Sequence, residues 1–144
     1  VELSDVVTPQ QKGNSAQLVA YTLETSFFEN SGGAFSRRSL PRAAQYFPVH
    51  SIVGYDFDQD GVTDILLGGN ETAVQPEIGP MDAGWGLFLK GKSNGNFQAM
   101  PPARSGLYLP GNVRASGVIR ASKNTKRVIF ARNNDSIAFF LLKK

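Results

Sequence analysis

Glycine and proline break every window in which a long helix could run: fifteen and eight of them are spread through 144 residues. Inside a helix each costs about 1 and 3 kcal/mol respectively relative to alanine. What remains apolar is short, namely AQLVAYTL, SIVGY, ILLGG, GLFL, SGVI, RVIFA and SIAFFLL. Runs of that length, rich in Val, Ile, Phe, Tyr and Leu, read as β-strands. The expected fold class is all-β, one domain over residues 1–144. A chain of this size buries about two thirds of its unfolded surface, so neither metal nor disulfide is required for size alone. There is no cysteine, which excludes disulfides, thiolate metal sites and a thiol nucleophile. No stretch has the form of a signal peptide, and IAFFLL is too short to cross a bilayer as a helix. A start at Val1 is expected of a processed mature protein or a piece of a longer one.

An internal repeat constrains the architecture further. FFENSGGAFSRRSLPRAAQYFPV, from Phe27, lies on FLKGKSNGNFQAMPPARSGLYLPGNV, from Phe88, with Phe35 on Phe97 and Pro48 on Pro110 at one offset. DILLGGN, from Asp64, falls on KRVIFAR, from Lys126, one residue out of phase. Each unit reads as strand, Asn/Gly turn, strand, long polar connection, strand, turn, strand. NSGG and SNGN supply the residues that tolerate positive φ in tight hairpins. The expectation is two tandem four-stranded antiparallel sheets of β-propeller blade type, over about 18–70 and 85–142. Two units cannot close a ring, so the chain associates with copies of itself, ends a larger propeller, or folds its two sheets into a sandwich. An open sheet edge invites pairing, with VELSDVV as one candidate cover.

Charge is divided unevenly between the halves. Residues 1–82 carry four bases against eleven acids, whereas residues 83–144 carry eleven bases against Asp135 alone. The basic residues are dispersed and not interleaved with aromatic side chains, which argues against nucleic-acid binding and for attraction between the halves of one fold.

Four of those acids lie in DFDQDGVTD, Asp56 to Asp64. Alternation sets Asp56, Asp58 and Asp60 on one side of a curling loop, and Gly61 permits the turn that returns Asp64 toward them. Val62 can offer its carbonyl. Crowded carboxylates raise one another's pKa and destabilise the loop unless a cation neutralises them. Hard oxygen donors in this number suit Ca2+ better than Mg2+, so Asp56, Asp58, Asp60, Val62 and Asp64 are the expected calcium ligands. An EF-hand begins the same way but needs Glu at its twelfth position, where Leu67 stands inside a strand. The duller alternative is a solubilising acidic turn. The second unit has RASKNTKR at this place, so the hairpin does not need the aspartates.

This motif resembles the FG-GAP and VCBS repeats, calcium-bearing β-propeller blades also found in integrin α-subunits. Their pattern D-h-D-x-D-G-h-x-D, with h apolar, matches Asp56 to Asp64 throughout. NSGGAF and GNF are similar to the family's hairpin, and ILLGGN to the strand after its calcium loop. EIGPMDAGWG, SGLYLPGNVRASGVI and FARNND resemble the C-terminal part of large secreted bacterial VCBS proteins. The resemblance covers about residues 18–140; the decayed second loop and the long Asn70–Trp85 segment depart from it. It implies a non-enzymatic, calcium-binding module with a scaffold or recognition role toward a protein or glycan. It also implies an extracellular, cell-surface or periplasmic place, completed by the rest of a propeller or by a homo-oligomer, with membrane attachment through a lipoprotein anchor outside this chain. Calcium affinities of about 10⁻⁴ to 10⁻³ M, usual for extracellular modules, suffice there.

The segment Gly69–Gly86 is long for a hairpin connection, and such loops often carry function. Its Glu77, Asp82 and Trp85 form a candidate ligand site, since carboxylates beside an aromatic platform suit a sugar. The alternative function is a polysaccharide-acting enzyme using that segment; the duller reading has Trp85 in the core. No catalytic residue is assigned. His50, the lone histidine, has no second histidine or cysteine with which to build a zinc site and reads as structural.

Overall fold

The computed structural model describes residues 2–16, 18–123 and 125–142. Strand accounts for 42% and helix for 12%, a mostly-β chain as the punctuation by glycine and proline requires. The strands are β1 (Ser26–Ser31), β2 (Ala34–Ser39), β3 (Val49–Tyr55), β4 (Asp64–Gly69), β5 (Leu87–Gly91), β6 (Phe97–Met100), β7 (Val113–Ser122), β8 (Thr125–Arg132) and β9 (Ala138–Leu141). Helix is confined to single turns, such as Arg42–Gln45 and Pro102–Ser105, at the same place in the two repeats. Among the described residues no helix is long and apolar enough to cross a membrane.

Every strand pairing is antiparallel, but the sheets do not follow the expected boundaries. Two four-stranded units were expected; the strands group instead as β1-β2, β3-β4-β5-β6 and β7-β8-β9. The repeat survives in strand order, because β1–β4 correspond to β5–β8. Its sheets are half a repeat out of phase with it. The physical reason lies in the connections. Residues 40–48 bury Leu40, Ala44 and Phe47, and residues 101–112 bury Leu107 and Leu109. These segments cross from one sheet to the next, whereas Gly69–Gly86 joins neighbouring strands of a single sheet. Two further expectations fail. Of AQLVAYTL, Gln17 lies outside the described residues; Ala16 and Leu18–Leu23 form no strand, and Leu18, Tyr21 and Leu23 are exposed. Of VELSDVV, Val1 lies outside the described residues, and residues 2–7 add no strand to an edge: Leu3–Asp5 is a 3₁₀ turn, and Leu3 and Val6 are exposed.

The sheet β3–β6 is apolar on both faces. Leu66 and Val53 pack with Val113, Val128, Phe130, Leu107 and Leu109 from the β7–β9 side. Leu67, Leu87 and Leu89 pack with Leu40, Ala44 and Phe47 on the other, where Phe27 of β1 also reaches. Neighbouring residues of β4 thus serve opposite cores, as the two-residue period of a strand dictates. A register shift between Val49 and Ser51 lets β3 place Val49 in one core and Val53 in the other, which strict alternation would forbid. Ser51 and Ser116 join hydroxyls between β3 and β7.

Gly69 marks the tightest approach. A Cβ there would collide with the Pro48 carbonyl oxygen and lie 2.9 Å from Phe47 Cδ2. A Cβ at Gly117 would meet no atom within 4 Å. Gly69→Ala is therefore expected to cost about 3 kcal/mol or more, at the upper end of overpacking penalties. Gly117→Ala should stay within about 0.5 kcal/mol of wild type. Urea denaturation of both variants checks the contrast.

Candidate metal centre

The aspartate loop connects β3 to β4 and is shaped by its own carboxylates. Asp56 accepts hydrogen bonds from the Asp60 and Gly61 amides at 3.2 and 3.0 Å, and Asp60 accepts from the Val62 amide at 2.9 Å. Gln59 and Gly61 take positive φ, 61° and 85°, which curl the chain back on itself; glycine makes the second of these cheap. Phe57 points away from the acids and packs edge-to-face against Tyr55 and Phe88, with ring centroids 5.3 and 5.8 Å apart. Val62 is partly buried and reaches toward Gly91 of β5.

Asp64 has a second task. It is fully buried at the first position of β4. Its Oδ1 accepts from the Gly91 amide of β5 at 2.8 Å, and its Oδ2 from the Phe57 amide at 3.1 Å. The carboxylate therefore ties the loop to the neighbouring strand whether or not an ion is bound. Burial pushes its pKa upward, the two amides pull it back, and Asp58 and Asp60 add repulsion.

Carboxylate oxygens of Asp56, Asp58 and Asp64 lie within 4.8 Å of one another. Two oxygens each about 2.3–2.6 Å from one calcium ion can be no more than roughly 5 Å apart, so these three fit a shared shell. Asp60 is placed differently, with its carboxylate turned to the Val62 amide and to Lys90 Nζ at 3.2 Å. Those two partners, the amide foremost, hold its pKa below the usual aspartate value. Lys90 also pairs with Asp58. Nothing in the loop's own sequence points to Lys90. It enters from β5, and the register that sets Ile65 opposite Leu89 brings it beside the loop.

The residues of Gly69–Gly86 are not drawn into one site. Glu77 and Asp82 are exposed, and neither makes a side-chain hydrogen bond or ion pair among the described residues. Trp85 is 48% exposed and stacks on Tyr108 with centroids 4.9 Å apart, so it is not a core residue. The segment's anchor is Asn70. Its buried amide donates to the Gly84 and Gly111 carbonyls at 2.6 and 3.2 Å and accepts from the Gly84 amide at 2.8 Å. Glu71 pairs with Arg114 at 2.7 Å, with His50 at 4.0 Å, and Arg114 holds the Glu71 carboxyl below its ordinary pKa. The pairs Glu71–Arg114 and Lys90–Asp58 join the acidic half of the chain to the basic one.

No family model, curated protein or solved structure matches this chain.

The two hydrogen bonds that Asp64 accepts from backbone amides generate an expectation independent of any metal. In Asp64→Ala the Phe57 and Gly91 amides lose their acceptor, and each buried unpaired donor costs about 1–3 kcal/mol. The variant should lose about 2 kcal/mol or more in chelator, measured by urea unfolding.

Proposed function

We propose that this chain is a calcium-binding β-propeller module of the FG-GAP/VCBS kind that works outside the cytoplasm as a scaffold or recognition unit. The observation that carries the reading is the convergence of Asp56, Asp58 and Asp64 at a hairpin whose counterpart needs no acid. The β7–β8 pair closes through Ser122 opposite Thr125 with only basic and neutral residues around the turn, so a hairpin at this place forms without acids, which supports a role for the exposed carboxylate of Asp58 beyond closing the turn. Calcium would be held by Asp56, Asp58 and Asp64, with Asp60 and the Val62 carbonyl available to complete the shell. It would supply charge neutralisation and cross-linking, not catalysis. Antiparallel sheets that succeed one another along the chain and pack face to face are the arrangement that propeller blades use. A site of extracellular affinity stays filled at millimolar calcium and empty in cytosol, which supports a place outside the cell.

Recognition falls to the Gly69–Gly86 side, where the exposed rings of Trp85 and Tyr108 stack on each other. An exposed aromatic platform suits the apolar face of a sugar ring. A glycan is the partner this favours.

Thermal melting tests the calcium half. At ten times Kd, calcium should add about 1.4 kcal/mol of stability and raise Tm by roughly 3–6 °C over chelator. Asp56→Ala should abolish the rise. An unchanged midpoint up to 10 mM calcium, an arbitrary ceiling of about ten times the weakest extracellular affinities, rejects the reading.

A further inference from the structure

We infer that Lys90 is a tethered counter-ion of the aspartate loop, a built-in competitor that holds the loop together without metal and lowers its affinity for calcium. The inference rests on the calcium reading above. It concerns a residue outside the loop motif.

The ammonium of Lys90 meets Asp58 and lies 3.2 Å from an Asp60 oxygen. Asp58 belongs to the converging trio, and Asp60 is the loop carboxylate outside it. One cation thus contacts a member of the trio and also pairs with the remaining carboxylate. Lys90 is fixed there by register. Its neighbour Gly91 donates to Asp64, so the strand that anchors the loop's last aspartate also delivers the lysine to its open side. No other base pairs with these aspartates among the described residues.

The consequence is competition for the same oxygens. A divalent ion arriving at the trio meets a positive charge a few Å away, and full use of Asp58 and Asp60 requires the ammonium to leave. The Lys90 side chain is 36% exposed, so it can swing into water on its flexible stem. Even at the dielectric constant of water, repulsion between a divalent and a monovalent cation about 5 Å apart corresponds to about a tenfold change in affinity. The loop therefore has two cationic partners, one covalently attached and weak, one diffusible and strong. Exchange between them is set by calcium concentration.

Calcium titration of the full chain by calorimetry, with terbium luminescence as an independent readout, tests this. Lys90→Met removes the charge and keeps the stem, Lys90→Arg keeps the charge, and Lys92→Met makes the same change of net charge on the adjoining turn. The expected result is about tenfold tighter binding in Lys90→Met, and wild-type affinity in the other two. In chelator Lys90→Met should melt below wild type, and saturating calcium should remove the difference. Equal calcium affinity in wild type and Lys90→Met overturns the role of Lys90 while leaving the calcium site standing. Tightening by Lys92→Met as large as by Lys90→Met also overturns it, because net charge alone would then account for the effect. Absence of binding in every variant overturns the calcium reading and this inference together.

Discussion

The sheet β3–β6 must be buried on both faces, and most of the structure is arranged to satisfy that constraint. Leu66 and Leu67 are adjacent in sequence, so burying both requires one layer on each side. The three-stranded sheet β7–β9 provides one. Segment 40–48, with Phe27 of the β1–β2 hairpin, provides the other. Glycines at 68 and 69 let the covering layers come close: a Cβ at Gly68 would lie 2.7 Å from Val113 Cγ1. A strand with apolar residues on both sides is normally expected in parallel sheets covered by helices. Here antiparallel sheets stacked on one another create the same demand.

On this scaffold the aspartate loop divides its labour. Asp64 belongs to the sheet as much as to the loop, since two backbone amides claim its oxygens. Asp56 organises the turn through the Asp60 and Gly61 amides. Asp58 and Asp60 face outward and meet Lys90. The loop is thus built from inside to outside: a buried carboxylate whose charge is costly and locally satisfied, then a turn-forming one, then two whose charge is balanced from a neighbouring strand. Phe57 drives the arrangement inward by placing its ring between Tyr55 and Phe88.

Much of this was legible in the chain before any coordinates. Short apolar runs between glycines and prolines specified a β-rich fold, and the repeat predicted matching strands and matching long connections; their reading as polar missed Phe47 and Leu109, which are buried at equivalent places. The grouping of strands into sheets was not legible, because it depends on which connections cross between layers. The buried residues of segments 40–48 and 101–112 answer that only once packing is known. AQLVAYTL has the composition of a strand but lacks a partner, and strand propensity has little meaning without one. In the loop, alternation and Gly61 foretold the curl. The pairing of Asp60 with Lys90 did not show, since that lysine comes from another strand and is brought there by register. Trp85 was assigned to the core in the duller reading because tryptophan is usually well covered. Tyr108, from the next crossing, stacks on it at the surface instead.

Asn70 lends the β4–β5 connection one more property. With a single buried side chain it clasps both ends of the segment, at Gly84, and the distant Gly111. The Glu71–Met81 bridge narrows the neck beyond it. Strain or disorder arising at the tip therefore stops at the clasp and does not reach β4 or β5. A change in the length or composition of the tip is likewise confined beyond the clasp, and the pairing of β4 with β5 beneath it is left as it is.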